Sequence, residues 1–86
     1  MENKKAKIKV ETVLYNTTDL YLAAFLKVRR WYVRIERTPE KKEVLFSFVD
    51  DPDLQKDIVE YFNGADVSAI AFKNELQNLK TLMYNT

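Results

Sequence analysis

Two short runs of alternating residues, Trp31 to Arg37 and Val44 to Val49, constrain the fold more than any other feature of this chain. Successive side chains in a strand point to opposite faces, so period-two alternation of apolar and polar residues predicts half-buried strands. Between the runs lies Thr38-Pro39-Glu40-Lys41-Lys42, a polar segment whose proline suits a turn and could not sit in a central strand. If Arg37 faces Lys42, Ile35 opposes Val44, Val33 opposes Phe46 and Trp31 opposes Phe48. All six apolar side chains then share one face, as burial demands. The opposite face carries Arg30, Tyr32 and Arg34, joined from the partner strand by Leu45, Ser47 and Val49.

The flanking segments supply the remaining elements. Residues 6–15 also alternate, with Ile8, Val10, Thr12 and Leu14 on one side and Lys7, Lys9, Glu11, Val13 and Tyr15 on the other. They read as a strand whose second side would place Tyr15 on the outer sheet face. Residues 1–5 are polar and terminal and are expected to fray. Thr17-Thr18-Asp19 offers N-cap chemistry before Leu20-Tyr21-Leu22-Ala23-Ala24-Phe25-Leu26-Lys27-Val28, a run so apolar that a helix over 18–29 must be covered on several sides. Asp51-Pro52-Asp53-Leu54 starts a second helix, with Leu54, Ile58, Val59, Tyr61 and Phe62 as its apolar stripe and Asn63-Gly64 as its end. Asp66 is the expected cap of a last helix over 67–83, in which Ala69, Phe72, Leu76, Leu79 and Met83 form one seam. The order is β-α-β-β-α-α. It predicts a single α+β domain over 1–86, a three-stranded antiparallel sheet with helices packed on one face.

Composition narrows the chemistry. The 86 residues include no histidine, no cysteine and a single glycine, Gly64. Nucleophilic catalysis, transition-metal binding and phosphate-cradling loops depend heavily on those residue types. The acidic group Asp50, Asp51, Asp53 and Asp57 lacks the glycine and ligand spacing of a calcium loop, and it coincides with a helix start, where acids are stabilising without any ligand. No metal, cofactor, catalytic residue or small-molecule substrate is expected, and the protein reads as non-enzymatic. Without cysteine there is no disulfide framework, and neither a secretory leader nor a membrane-spanning run is evident, so a cytoplasmic location is expected.

Several short stretches together resemble an uncharacterised family of small bacterial and phage-borne domains. They are Asp19-Leu20-Tyr21-Leu22-Ala23-Ala24-Phe25-Leu26, Val44-Leu45-Phe46-Ser47-Phe48 followed by Asp51-Pro52-Asp53-Leu54, Tyr61-Phe62-Asn63-Gly64, and Leu76-Gln77-Asn78-Leu79-Lys80. The likeness covers about residues 18–84. It implies an α+β fold but no reaction or ligand, and its phage and mobile-element setting implies a nucleic-acid or host-protein context. A glycine often precedes the first hairpin strand in that family, where this chain carries Arg29-Arg30.

Charge and exposure frame the functional expectation. Residues 1–42 hold eleven basic and five acidic residues, net +6, whereas 43–86 hold three and eight, net −5. Such segregation either creates two oppositely charged faces or is neutralised when the halves pack together. An outer sheet face of Arg30, Tyr32, Arg34, Leu45 and Tyr15 points to contact with a protein partner or with a second copy as a homodimer, since arginine and tyrosine are typical interface anchors. The same basic–aromatic surface would also suit single-stranded or duplex nucleic acid. Val67, Ile70 and Leu82, lying off the main seam of the last helix, offer a second apolar surface.

Overall fold

The apolar run after Asp19 forms, in the computed structural model of the chain, a helix over Leu20–Val28 (α1) in which Leu22, Ala23, Ala24, Phe25 and Leu26 are all buried. The structure describes residues 13–40 and 43–85. Five consecutive buried residues cover more than one turn, so the middle of α1 is covered around its circumference, while Tyr21 near its start stays exposed. It packs against two later helices, Pro52–Phe62 (α2) and Ala69–Tyr84 (α3). It also packs against a three-stranded antiparallel sheet of Leu14–Thr17 (β1), Arg34–Arg37 (β2) and Val44–Val49 (β3), in the order β1-β3-β2. The α+β class and the element order agree with the sequence pattern.

Phe46 and Phe48 of the central strand join Leu22, Phe25, Leu26, Trp31, Leu54, Ile58 and Leu79 in one core, with Tyr15, Val33, Ile35, Val44, Phe72 and Leu76 packed around it. Each fully buried Leu or Phe contributes roughly 1.5–3 kcal/mol of transfer free energy.

Local chemistry sets the helix ends. Asp19 accepts the N–H groups of Tyr21 and Leu22 at 3.0 and 3.1 Å, and Asp51 does the same for Asp53 and Leu54 at 2.8 and 3.1 Å. α3 is capped by Ser68, whose Oγ accepts from Ala71 N–H at 3.2 Å, rather than by the expected Asp66. Both α1 and α2 end in a Schellman turn. After α2, Gly64 takes φ +79°, donating to the Tyr61 carbonyl while Ala65 donates to Glu60. After α1 the same two bonds run from Arg30 to Lys27 and from Trp31 to Leu26, at 2.9 and 3.0 Å, and Arg30 holds φ 71°. The tight turn therefore forms with arginine at the position that favours glycine.

Two pairings differ from expectation. In the hairpin, Ile35 opposes Phe46 and Arg37 opposes Val44, a slip of two residues from the expected register. Trp31 lies ahead of β2 and opposite no strand residue, because residues 29–31 are occupied in closing the helix turn. Thr38 fixes the register: its N–H donates to the Glu43 carbonyl at 2.9 Å and its Oγ1 accepts the Glu43 N–H at 3.2 Å. A two-residue slip keeps every side chain on its face, so the buried set is unchanged. In β1, by contrast, Tyr15 opposes Phe48 and Thr17 opposes Phe46. Tyr15 thus faces the core, and its placement on the outer face is corrected. Leu14 takes the outer side, opposite Val49, and Tyr15 packs against the core. Most of the strand expected over 6–15 lies outside the described residues.

Candidate interaction surfaces

The outer sheet face is a narrow strip: Leu14 and Asn16 from β1, Leu45, Ser47 and Val49 from β3, Arg34 and Glu36 from β2. Ser47 is buried and donates to Asn16 Oδ1 at 2.7 Å, while Leu45 and Val49 are half-buried. Of the five residues singled out from sequence, the sheet brings Arg34 and Leu45 together on this face. Arg30 and Tyr32 are exposed in the segment that leads into β2, and Tyr15 is on the other side of the sheet.

Several arginines in and near this face have acceptors within the fold. Arg29 spans Asp57 and Glu60 at 2.8 and 2.9 Å and lies 4.8 Å above the Phe25 ring. Arg34 pairs with Glu36 at 3.4 Å, and Arg37 donates to the Met83 carbonyl at 2.8 Å. Three of the four residues of the acidic group also have partners. Asp51 caps α2, Asp50 accepts from Gln55 at 2.8 Å, and Asp57 receives both Arg29 and the Trp31 indole. Among the described residues no group of three or more His, Cys, Asp or Glu is placed to hold a metal ion.

A different surface emerges where α1, the end of α2 and the start of α3 meet. An open groove of about 490 Å³ is lined by Phe25, Tyr61, Phe62, Val67 and Phe72, with Asp19 on its wall. Gly64 and Ala65 of the turn after α2 complete the lining. Tyr61 is the centre of the aromatic set, 5.2 Å from Phe25 and 5.1 Å from Phe62 in a T-shaped arrangement. Burial pushes the Tyr61 hydroxyl above its ordinary pKa, reinforced by the nearby Asp19 and Tyr21. Of the lining residues, Phe62 is 67% exposed and Val67 is also exposed. Sequence pattern placed Val59 and Phe62 in the buried stripe of α2. The signal against it was width: Leu54, Ile58 and Tyr61 already fill one helix face, and Val59 and Phe62 lie beside it.

Over residues 12–85 the chain matches the family model of a domain of unknown function, DUF5659. The chain belongs to that family. No curated protein and no solved structure gives a match. The matched span of the DUF5659 domain takes in all six elements of the fold, including every residue that lines the groove. No described helix is long and apolar enough to cross a membrane.

Proposed function

We propose that this DUF5659 domain is a non-enzymatic, cytoplasmic interaction module that contacts a protein partner through the aromatic groove between α1, α2 and α3. The observation that carries the reading is the exposure of Phe62 and Val67 in the lining of a concave aromatic surface. Exposed apolar patches of this kind mark interaction sites. The groove supports the role better than the outer sheet face, where Leu45 and Val49 are half-buried and Ser47 is buried. A protein partner is favoured over nucleic acid because Arg29, Arg34 and Arg37 already have acceptors within the fold, and phosphate binding needs several available cations. In a bacterial or phage-borne setting the partner would be a host protein.

The chemistry of the groove indicates the segment it takes. Asp19 is the one charged residue in its lining, and exposed Asp66 precedes the lining residue Val67. An extended or helical peptide with one large apolar side chain flanked by lysine or arginine fits that combination. Selection from a random peptide display library tests it. Enriched peptides should pair an aromatic or aliphatic anchor with a basic neighbour and lose binding to Phe62→Asp. Peptides that bind the variant as well as the parent would place the contact elsewhere and defeat the reading. Labelled oligonucleotides titrated at low and moderate salt should show no steep salt-dependent binding.

A further inference from the structure

Independently of the groove, we propose that the outer edge of β2 pairs with the same edge of a second copy, giving a symmetric dimer with one continuous six-stranded sheet. β2 is an edge strand, with β3 on one side and no described strand on the other. Such an edge presents backbone donors and acceptors that template pairing with another chain.

The phase of the ladder selects which residues pair. The Thr38–Glu43 pair is hydrogen-bonded, and bonded and non-bonded pairs alternate along an antiparallel ladder. Glu36 and Arg34 therefore bond inward to β3, and Ile35 directs its N–H and C=O outward. A two-fold axis through Ile35 brings Ile35 opposite Ile35 of the second copy as a bonded pair. In that register Arg34 opposes Glu36 of the second copy, and Glu36 opposes its Arg34. Sliding the copies by two residues either way keeps the hydrogen-bond phase but sets Arg34 against Arg34 or Glu36 against Glu36, which is destabilising. One register is selected and it is self-complementary in charge, as an isologous interface requires.

Exposed apolar side chains flank the same edge. The guanidinium of Arg37 donates to the Met83 carbonyl at 2.8 Å, so the last turn of α3 lies beside β2. That turn carries Leu82 and Tyr84, 46% and 89% exposed, and Tyr32, 51% exposed, precedes the strand. A second copy would cover them.

The test is the mass of the full chain in solution by light scattering or sedimentation, from about 5 µM to about 500 µM, a range that spans weak self-association. The parent should approach twice the chain mass within it. Arg34→Glu and Glu36→Arg each place two like-charge pairs across the axis and should weaken the dimer about tenfold or more. Both side chains are exposed, and circular dichroism should show the fold kept. An equimolar mixture of the two variants restores opposite charges at both pairs only between chains, so its mass should rise again towards the dimer. A parent that stays monomeric throughout, single variants that dimerise as well as the parent, or a mixture that stays monomeric would each overturn the proposal.

Discussion

The indole Nε1–H of Trp31 donates to Asp57 Oδ2 at 2.7 Å, while the other oxygen of the same carboxylate accepts from Arg29 at 2.8 Å. One acid thereby ties the turn after α1 to the middle of α2 and serves the largest buried side chain of the core. Asp57→Ala should cost about 2 kcal/mol, since it removes the acceptor of a buried donor together with a partly buried ion pair. Asp57→Asn keeps an acceptor for Trp31 and should lose less. Thermal melts of both variants check the order, a difference of 1 kcal/mol corresponding to about 4–8 °C in a domain of this size.

The two Schellman turns make opposite forecasts. Arg30 pays the left-handed penalty that a Cβ imposes, so Arg30→Gly should raise stability by about 0.5–1 kcal/mol. Gly64→Ala should lower it by about 1 kcal/mol. Nothing lies within 4 Å of a Cβ built at Gly64, so that loss comes from backbone strain alone. A gain in melting temperature for Gly64→Ala, or a loss for Arg30→Gly, would contradict the turn geometry.

Tyr61 gives a signature at alkaline pH. Its hydroxyl is raised above the ordinary 10.0 by burial and by the charges of Asp19 and Tyr21. In the unfolded chain the phenol ionises first, so the folded state loses stability as pH climbs from about 10 through the raised folded value, and below that window there is no effect. Tyr61→Phe removes this titration and should flatten the decline in denaturation midpoint at high pH, leaving neutral-pH stability nearly unchanged.

Phe62 separates interface from core. At 67% exposure, Phe62→Asp should change folding stability by less than about 0.5 kcal/mol, whereas Leu79→Ala, fully buried, should cost about 2–5 kcal/mol. Urea titration of the two variants decides it, and a large loss for Phe62→Asp would return the side chain to the core.

Much of this architecture could be read before any coordinates, and the exceptions share a physical cause. The helix starts at Asp19 and Asp51 and the end at Asn63-Gly64 are governed by neighbours within four residues, so local chemistry sufficed. The hairpin's inner face was legible, but its register was not, because hydrophobic pattern is blind to slips of two and the choice rested on the Thr38 hydroxyl. The side that Tyr15 takes was not legible because Leu14 and Tyr15 are both acceptable in a core, and only the register against β3 chooses between them. Of the site expected on the outer sheet, Arg34 and Leu45 meet there. The groove went unread because Phe25, Tyr61 and Phe72 look like ordinary core residues until the partial exposure of their neighbours is known.

The encirclement of α1 bears on how the chain acquires its shape. Its covering is assembled from β3, α2 and, last in the order of synthesis, α3. A nascent chain that has reached only Ser68 lacks α3, one of the two helices that pack on α1. The covering of α1 is complete only with the sixteen-residue α3, and a small domain built around one such shared core is expected to unfold cooperatively as a unit.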